Sequence, residues 1–495
     1  MAADVRCGAF LALAAVLLLA NLGSSGLLWQ DEAETALLAR HTRVFGYPRA
    51  SDDHGLIELP SGYRYGPGQA WLYSPWLPFY LLAGVFAITG ESTWAARWPF
   101  ALFGWLTIWL TWRLCAALTN NRRIHLFTVA LLTCSVPFLL HMRQCRYYAL
   151  AAFLLVAVCL AYLRMVALPT GRRVGALGAA LVALFYANFG TCLPAGGALF
   201  MHGILRGVPR LRSERRRVWI MWAMVAGLTL PWMVFTYQPA LMGTPSLARA
   251  AKHLEYYVRI TNKHLVPLAF MAGVSTIWWL IRAHPLRLKP IPMGVQVVAL
   301  MALSQAAFLL LPDQRHMRYL IPTLPLLIIG QAWWLSRCLA RAPRLGWVVA
   351  LAMLTTNALQ SRHVRVPLMD VAYELTHRYR GPMEGVVEYL NAHAKAGDTA
   401  KIPYDDHTLM WYTALTVEPP SRFQEQSDPD WIIVRREWMP RGFFESPYFR
   451  RIEARYERIE LDAPDVLWQN REDPGSHQFR TVAEAPRVVI YRKRI

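Results

Sequence analysis

Long apolar runs separated by short polar stretches make up most of the first 361 residues. A helix needs about 20 mostly apolar residues to cross a bilayer. Residues 1–361 are therefore predicted to form a polytopic α-helical membrane domain with about eleven transmembrane helices. The predicted spans are residues 8–28, 94–115, 124–141, 147–166, 174–190, 193–206, 218–237, 265–283, 292–311, 317–338 and 345–361.

One further apolar run, residues 74–90, is predicted not to cross the membrane. It is short for a span and contains Pro75 and Pro78. If it crossed, the later basic clusters would lie on the opposite side from Arg6. If this run does not cross, all of the basic clusters lie in the cytoplasm with the N-terminus, as the positive-inside rule expects. We interpret it as a helix at the membrane surface. The clusters are Arg122/Arg123, Arg172/Arg173, residues 206–217, Arg282/Arg287/Lys289 and Arg337/Arg341/Arg344.

The first apolar run also resembles a signal peptide, since Arg6 precedes its apolar core. Its length and the acidic loop that follows favour an uncleaved first span. With the N-terminus in the cytoplasm, an odd number of spans puts the tail outside.

Residues 362–495 differ from the rest, because short helix-like and strand-like patterns alternate there. Helices are predicted near 383–395 and 406–414, and strands at 399–404, at 431–436 and at the C-terminus. This pattern predicts a small soluble α/β domain in the periplasm. The Asp-x-Asp match in "DPDW" (428–431) is interpreted as a turn leading into a strand.

The formal charge of +20 does not indicate nucleic-acid binding, because the positive charge lies in the loops between the predicted spans. Residues 362–495 hold 20 Lys and Arg against 21 Asp and Glu, so the excess belongs to the loops between spans. The seven cysteines lie in or beside apolar segments and show no metal-ligand spacing.

Acidic residues are concentrated in the loop 29–96, directly after the first apolar run. Seven of the eleven acidic residues among the first 361 lie there: Asp31, Glu32, Glu34, Asp52, Asp53, Glu58 and Glu91. Charge near lipid is costly, so a hydrophobic chain that keeps its carboxylates in one loop is expected to use that loop for chemistry or cation binding.

Two short motifs in this loop have alternative interpretations. Asp31-x-x-Glu34 matches a helix capping box, and the helix is predicted to end at Phe45 before Gly46. Asp31 is then a cap, a general base, or both. The stretch "SDDHG" (51–55) is a surface turn or a site for a divalent cation that uses His54. No cofactor is certain, and the metal remains unknown.

Four motifs, in this order, resemble the lipid-dependent glycosyltransferases of the C superfamily (GT-C). Protein O-mannosyltransferases and the aminoarabinose transferases of lipid A are the most similar. The motifs are "DEAETALLAR…GYP" (31–48), "YSPWLPFYLLAGVFAITGESTWAARWPFALFG" (73–104), "HMRQCRYYAL" (141–150) and "RHMRYLIPTLPLL" (315–327).

The resemblance implies that Asp31 is the catalytic base. In these families the first acid of the first outer loop activates an acceptor hydroxyl or amine, which displaces a polyprenyl phosphate from the anomeric carbon of the sugar. Glu32 completes a catalytic pair, with a supporting role and an arginine partner expected. Arginines at the outer span ends are expected to bind the leaving phosphate, or only to anchor at the interface: Arg143, Arg146, Arg315 and Arg318.

This sequence departs from the lipid A enzymes at one position. They carry a second acid after the arginine at the outer end of the third span, where this chain has Tyr147 and Tyr148. If the reaction needs a second carboxylate, it must come from elsewhere, and the candidates are Asp52, Asp53 and Glu58 of the acidic loop.

The function that the resemblance implies is an inverting glycosyltransferase that uses a polyprenyl-phosphate sugar on the periplasmic face of a bacterial inner membrane. Its partners would be the lipid-linked donor, membrane lipids and an acceptor glycan, lipid or protein. The resemblance does not choose among pentose, hexose and aminosugar donors. A lipid-linked sugar transporter or flippase is the alternative, and a non-catalytic scaffold is a third. Against a transporter, the spans lack ionisable residues away from their ends.

Overall fold

The computed structural model describes residues 2–24, 26–207, 212–236, 246–282, 292–378, 380–423, 427–466 and 485–494. Its α-helices are α1 Ala2–Leu19, α2 Gln30–Phe45, α3 Leu77–Thr89, α4 Thr93–Leu118, α5 Arg122–Thr133, α6 Val136–Met142, α7 Tyr148–Ala167, α8 Gly171–Ala187, α9 Phe189–Leu205, α10 Arg212–Phe235, α11 Leu247–Ile260, α12 Leu268–Arg282, α13 Met293–Phe308, α14 Leu324–Arg341, α15 Pro343–Thr355, α16 Pro367–Thr376, α17 Pro382–His393, α18 Asp406–Tyr412 and α19 Pro447–Arg455. The strands are β1 Ser51–Asp52, β2 Gly55–Leu56, β3 Thr399–Lys401, β4 Thr416–Glu418, β5 Trp431–Val434, β6 Tyr456–Pro464 and β7 Arg487–Lys493.

Each predicted span overlaps a helix of the structure, but the predicted spans and the helices differ in length. Within the described residues, four helices are long and apolar enough to cross a membrane: Thr93–Leu118, Tyr148–Ala167, Glu214–Phe235 and Met317–Arg341. The bent pair α5–α6 raises the number to five. Arg287, Lys289 and parts of residues 206–217 and 238–264 lie outside the described residues.

The predicted continuous span 124–141 is wrong in one respect, because it is two helices. α5 and α6 meet at an angle of 61°. Pro137 lies in the first turn of α6, where its missing N–H costs nothing, whereas inside one continuous helix it would remove a hydrogen bond. The break therefore follows from the position of this proline.

The first helix is also displaced from the prediction of 8–28. It ends at Leu19, and Asn21 then adopts a left-handed conformation with φ of 55°. Two buried arginines satisfy the carbonyls of this turn and the segment after it. Arg143 Nη1 donates to the carbonyls of Leu17 and Ala20, and Arg97 donates to those of residues 22, 26 and 27. A backbone held in this way does not need to remain helical.

The apolar run 74–90 contains α3, which has 13 residues. At 1.5 Å per residue it is about 20 Å long, too short for a hydrocarbon core of about 30 Å. α3 packs antiparallel to α2, since Tyr80 at its start donates to Gly46 O at 2.8 Å and Arg43 donates to Phe86 O near its end.

The seven-stranded sheet has the order β1-β2-β4-β3-β5-β7-β6. The three central pairings, β2–β4, β4–β3 and β3–β5, are parallel, and the outer ones are antiparallel. The helices predicted near 383–395 and 406–414 and the strands predicted in the tail are confirmed, with shorter bounds. The sequence did not predict that β1 and β2, from the loop 29–96, extend the sheet of the tail.

Helix α18 of the tail packs directly on the start of α2. Tyr412 OH accepts the N–H of Leu28 at 2.9 Å and shares a 2.6 Å hydrogen bond with Thr93. Thr408 donates to the Leu28 carbonyl at 3.0 Å. The tail therefore positions the residues that immediately precede Asp31.

Candidate active site

Asp31 lies in the first turn of α2 and does not cap it. The helix begins at Gln30, and Trp29 occupies the N-cap position without a side-chain cap. The predicted capping box is therefore wrong, whereas the predicted end at Gly46 is confirmed by its left-handed φ of 79° and its N–H bond to Thr42 O. Because Asp31 is not used as a cap, its carboxylate is available to two arginines.

Arg318 and Arg146 flank the Asp31 carboxylate. Arg318 Nη1 donates to Asp31 Oδ2 at 2.9 Å, and Arg146 Nη2 lies 3.6 Å from the same oxygen. The Asp31 side chain is one-fifth exposed. Its other oxygen, Oδ1, accepts no hydrogen bond from the residues that the structure describes. One carboxylate oxygen is thus held by cations while the other is available to a ligand.

Glu34 is the second carboxylate of this cluster. Arg146 Nη1 donates to Glu34 Oε1 at 2.8 Å and to the Asp31 carbonyl at 2.9 Å. Asp31 and Glu34 are three residues apart, so they lie on the same face of α2. This spacing was the signal that could have identified Glu34 as a site residue. We call Asp31, Glu34, Arg146 and Arg318 the Asp31 cluster.

The charges of the cluster favour an ionised Asp31. Burial of the carboxyl alone would raise the pKa of Asp31, but Arg146 and Arg318 outweigh burial and hold the pKa below its ordinary value. His407 and His316 act in the same direction. Asp31 is therefore a carboxylate at neutral pH, the form that a general base requires.

Glu32 points the other way, into the protein. It is fully buried, and both its oxygens bind Arg97, at 2.9 Å from Nε and 2.6 Å from Nη2. The expected pairing of Glu32 with an arginine is confirmed. Glu32 Oε1 also accepts the N–H of Cys145 at 2.8 Å. Glu32 therefore joins α2 to the turn that carries Arg146.

The tail contributes residues that the sequence did not indicate. Asp406 Oδ1 accepts a 2.7 Å hydrogen bond from Gln30 Nε2. His407 is buried, with Nδ1 3.4 Å from the Gln30 carbonyl and Nε2 3.4 Å from Asp406 Oδ2. The left-handed Asp405 turns the chain into α18, and the buried Arg435 holds Asp405 at 2.7 Å. No sequence motif signals these residues, because their partners are distant in the chain.

Arg143 and Arg315, two of the four expected phosphate ligands, have other partners. Arg143 is buried at the end of α1, where it binds carbonyls and lies 3.9 Å from Glu374. Arg315 is exposed, and its guanidinium lies 5.2 Å from the centre of the Tyr256 ring. Neither makes a hydrogen bond or ion pair with Asp31 among the described contacts, so the structure brings only Arg146 and Arg318 to this carboxylate.

The residues expected to form a cation site or a second acid contact their own loop or the tail instead. Asp52 binds His41 Nε2 at 2.9 Å and the N–H of His54 at 2.9 Å. Among the described residues, Asp53 uses only its carbonyl, which accepts from Thr416 Oγ1, and Glu58 accepts the N–H of Ser421. Across the described part of the chain, no three His, Cys, Asp or Glu side chains are placed to hold a metal ion. These contacts favour a structural role.

Known structures share this architecture. ArnT from Cupriavidus metallidurans bound to undecaprenyl phosphate aligns with a TM-score of 0.62 and 14% identity over 98% of this chain and 97% of that one. The arabinofuranosyltransferase AftD from Mycobacteria gives 0.51 and 16% over 98% of this chain and 41% of that one. The Archaeoglobus fulgidus oligosaccharyltransferase gives 0.50 and 11% over 86% and 67%. None of the curated proteins matches significantly.

These likenesses show which fold the chain has. The chain has the fold of the GT-C glycosyltransferases and is a multi-pass membrane protein, as the resemblance of its motifs implied. Within that class, residues 73–202 match the family model of the dolichyl-phosphate-mannose-protein mannosyltransferases. The matched segment contains α3 to α8 and most of α9, and it includes Arg146.

Proposed function

We propose that this protein is an inverting glycosyltransferase that moves a sugar from a polyprenyl-phosphate donor to an acceptor on the periplasmic face of a bacterial inner membrane. The observation that carries the proposal is the Asp31 carboxylate, ionised between Arg146 and Arg318 with one oxygen unbonded. This arrangement combines a base with two cations that suit a phosphate.

In the proposed reaction, Asp31 removes the proton of an acceptor hydroxyl or amine. The acceptor atom forms a bond to the anomeric carbon as the bond from that carbon to the phosphate oxygen breaks. The polyprenyl phosphate leaves with the electron pair, and Arg146 and Arg318 stabilise its charge. A single displacement inverts the anomeric configuration.

The donor phosphate would also activate the base. In the ligand-free arrangement Arg318 donates to Asp31 Oδ2. A phosphate bound to the same guanidinium competes for this N–H and weakens the hold on Asp31. The buried Nε–H of Arg146 has no partner among the described residues, and a buried donor without an acceptor is costly. Both features support an anion at this position.

We propose that Glu32 positions Arg146 and that Arg143 and Arg315 have structural or interfacial roles. We also propose eleven crossings, with α3 at the membrane surface, residues 1–361 as the membrane domain and residues 362–495 as a periplasmic domain. Reporters at Gly207 and Ala342 should then report cytoplasm, and reporters at Asp53 and Gly397 the periplasm. Opposite faces for the two sides of residues 74–90 would contradict the surface helix.

The ArnT match bound to undecaprenyl phosphate supports a polyprenyl-phosphate donor here. An enzyme also fits better than a transporter, because the buried acids that the structure describes lie in the loop 29–96 or in the tail: Glu32, Glu374, Asp405, Asp406 and Asp465.

The deciding experiment uses the full chain in proteoliposomes with lipid extracts that contain polyprenyl-phosphate sugars. Release of polyprenyl phosphate together with an acceptor-linked sugar of inverted configuration, detected by mass spectrometry and NMR, is expected. Asp31→Asn is the inactive control. Lipid movement across the bilayer without cleavage of the sugar–phosphate bond, unaffected by Asp31→Asn, would favour the transporter.

A further inference from the structure

A cavity of about 350 Å³ lies where α5 and α6 meet. This volume falls in the range of small-molecule sites. Pro137, at the start of α6, lines the cavity, whereas Arg146 follows the end of that helix. No member of the Asp31 cluster lines it. The cavity is therefore separate from the proposed donor site.

The walls and the rim of this cavity differ in chemistry. Part of its lining is apolar, from Leu131, Val136, Ile328, Met353 and Leu354. Its rim carries Lys263, His264, His363 and Arg365 against a single acid, Asp370. An occupant that matches both parts has an apolar body and a negatively charged head.

Two buried amides indicate that the occupant also has polar groups. Gln331 is 4% exposed, and its Oε1 has no hydrogen-bond partner among the described residues. Its Nε2 donates only to the sulfur of Met353, at 3.3 Å. Gln360 also lines the cavity, with a buried, unpartnered Nε2. Unpaired buried polar atoms are costly, and a ligand with a hydroxyl or ester would satisfy them.

The surroundings of the rim point to the membrane as the source of the ligand. Val364 and Val366, which flank Arg365, are 62% and 45% exposed, and Met369 is 65% exposed. Leu351 on α15 is 63% exposed. Exposed apolar side chains around a basic rim are the expected surroundings of a lipid headgroup at the edge of a bilayer.

We propose that this cavity binds a phosphate-bearing anionic membrane lipid, in addition to the donor. The head lies at Lys263 and Arg365, polar groups near the head bond to Gln331 and Gln360, and part of a chain enters between α5, α14 and α15. This proposal goes beyond the glycosyl transfer proposed above and does not depend on it.

The test is native mass spectrometry of the delipidated full chain, titrated with phosphatidylglycerol or with phosphatidylcholine of the same acyl chains. Tighter binding of phosphatidylglycerol is expected. Lys263→Glu combined with Arg365→Glu should weaken it about tenfold or more, since charge-assisted bonds are lost. Gln331→Leu should also weaken it. Arg344→Glu, at the other end of α15, is the matched control and should bind normally.

Three outcomes would overturn the proposal. The first is equal weakening of lipid binding by Arg344→Glu and by the double variant. Both substituted positions of the double variant are exposed, so misfolding would not explain its loss of binding. Another is complete displacement of the lipid by inorganic phosphate, which would make free phosphate the ligand. The third is loss of phosphatidylglycerol binding in Arg318→Ala, which would place the lipid in the donor site. No sugar transfer is measured, so the proposed function can fail or stand independently.

Discussion

Arg146 binds both the backbone and the side chain of Asp31. Its Nη1 donates to the Asp31 carbonyl at 2.9 Å, and its Nη2 lies 3.6 Å from the carboxylate. The backbone contact does not depend on the charge of the side chain. Arg146 therefore stays beside position 31 when that carboxylate is neutralised, which allows the base to be tested without losing the cation.

Asp31→Asn should reduce transfer by roughly two to four orders of magnitude, the usual contribution of a general base. The amide keeps the size of the side chain but cannot take the acceptor's proton. Donor binding should persist, because Arg146 retains its bonds to Glu34 and to the backbone. Transfer rates at saturating donor and a separate donor-binding titration check this.

The matched control is Asp53→Asn in the same loop, since the exposed Asp53 contributes only its carbonyl. It should transfer sugar normally. Substantial transfer by a well-folded Asp31→Asn protein would reject the base assignment and direct attention to Glu34.

Arg318→Ala should weaken donor binding by about 10- to 100-fold, the range expected for a charge-assisted hydrogen bond. Arg318→Lys should recover little, because an ammonium offers a point charge in place of a fork. Arg315→Ala, three residues away, should bind donor normally, since Arg315 stacks on Tyr256. Titration with a polyprenyl-phosphate sugar measures all three, and equal losses in Arg315→Ala and Arg318→Ala would contradict the phosphate assignment.

The pH dependence of kcat/KM should report the low pKa of Asp31. The base must be ionised, so kcat/KM should fall only as pH drops through a value below the ordinary 3.8. Arg318→Ala removes one of the charges that lower this pKa while burial remains. Its acidic limb should therefore move to higher pH. An unchanged limb in Arg318→Ala would mean that another group controls the rate.

The same pKa has a consequence for stability. The pKa of Asp31 is lower in the folded than in the unfolded state. The contribution of the ionised Asp31 to the free energy of unfolding is therefore fully present above the unfolded pKa of about 3.9. It is lost as pH falls through the folded pKa.

The buried pair Glu32–Arg97 should matter far more to folding than the partly exposed pair Arg40–Glu91. Arg97→Met leaves Glu32 buried without its cation and removes the donors to three carbonyls, so a loss of about 3–5 kcal/mol is expected. Arg40→Met removes a pair that is about one-fifth exposed, and should cost about 1 kcal/mol or less. Thermal and denaturant unfolding in detergent measure the stability of Arg97→Met and Arg40→Met. Similar losses of stability in the two variants would show that the Glu32–Arg97 pair does not contribute more to folding than the partly exposed pair.

Local patterns in the sequence predicted the helices well, because apolar periodicity, prolines and Gly46 act over a few residues. The side-chain contacts between residues far apart in the chain could not be predicted from such local patterns. Asp31 and Arg318 are 287 positions apart, and nothing local distinguishes Arg318 from Arg315 as the partner of Asp31. The capping box failed because α2 begins at Gln30, which makes Trp29 the N-cap and places Asp31 inside the first turn.

The shared sheet also sets the time at which the site can form. Gly55 of β2 pairs with Val417, and His54 contacts Leu415, which lies 361 positions further along the chain. At typical synthesis rates the ribosome needs on the order of half a minute to make that length. During this interval the acidic loop has emerged while α18, which holds the residues before Asp31, does not yet exist. A nascent chain therefore lacks the finished surroundings of the Asp31 cluster, so the proposed sugar transfer cannot begin until α18 has been made.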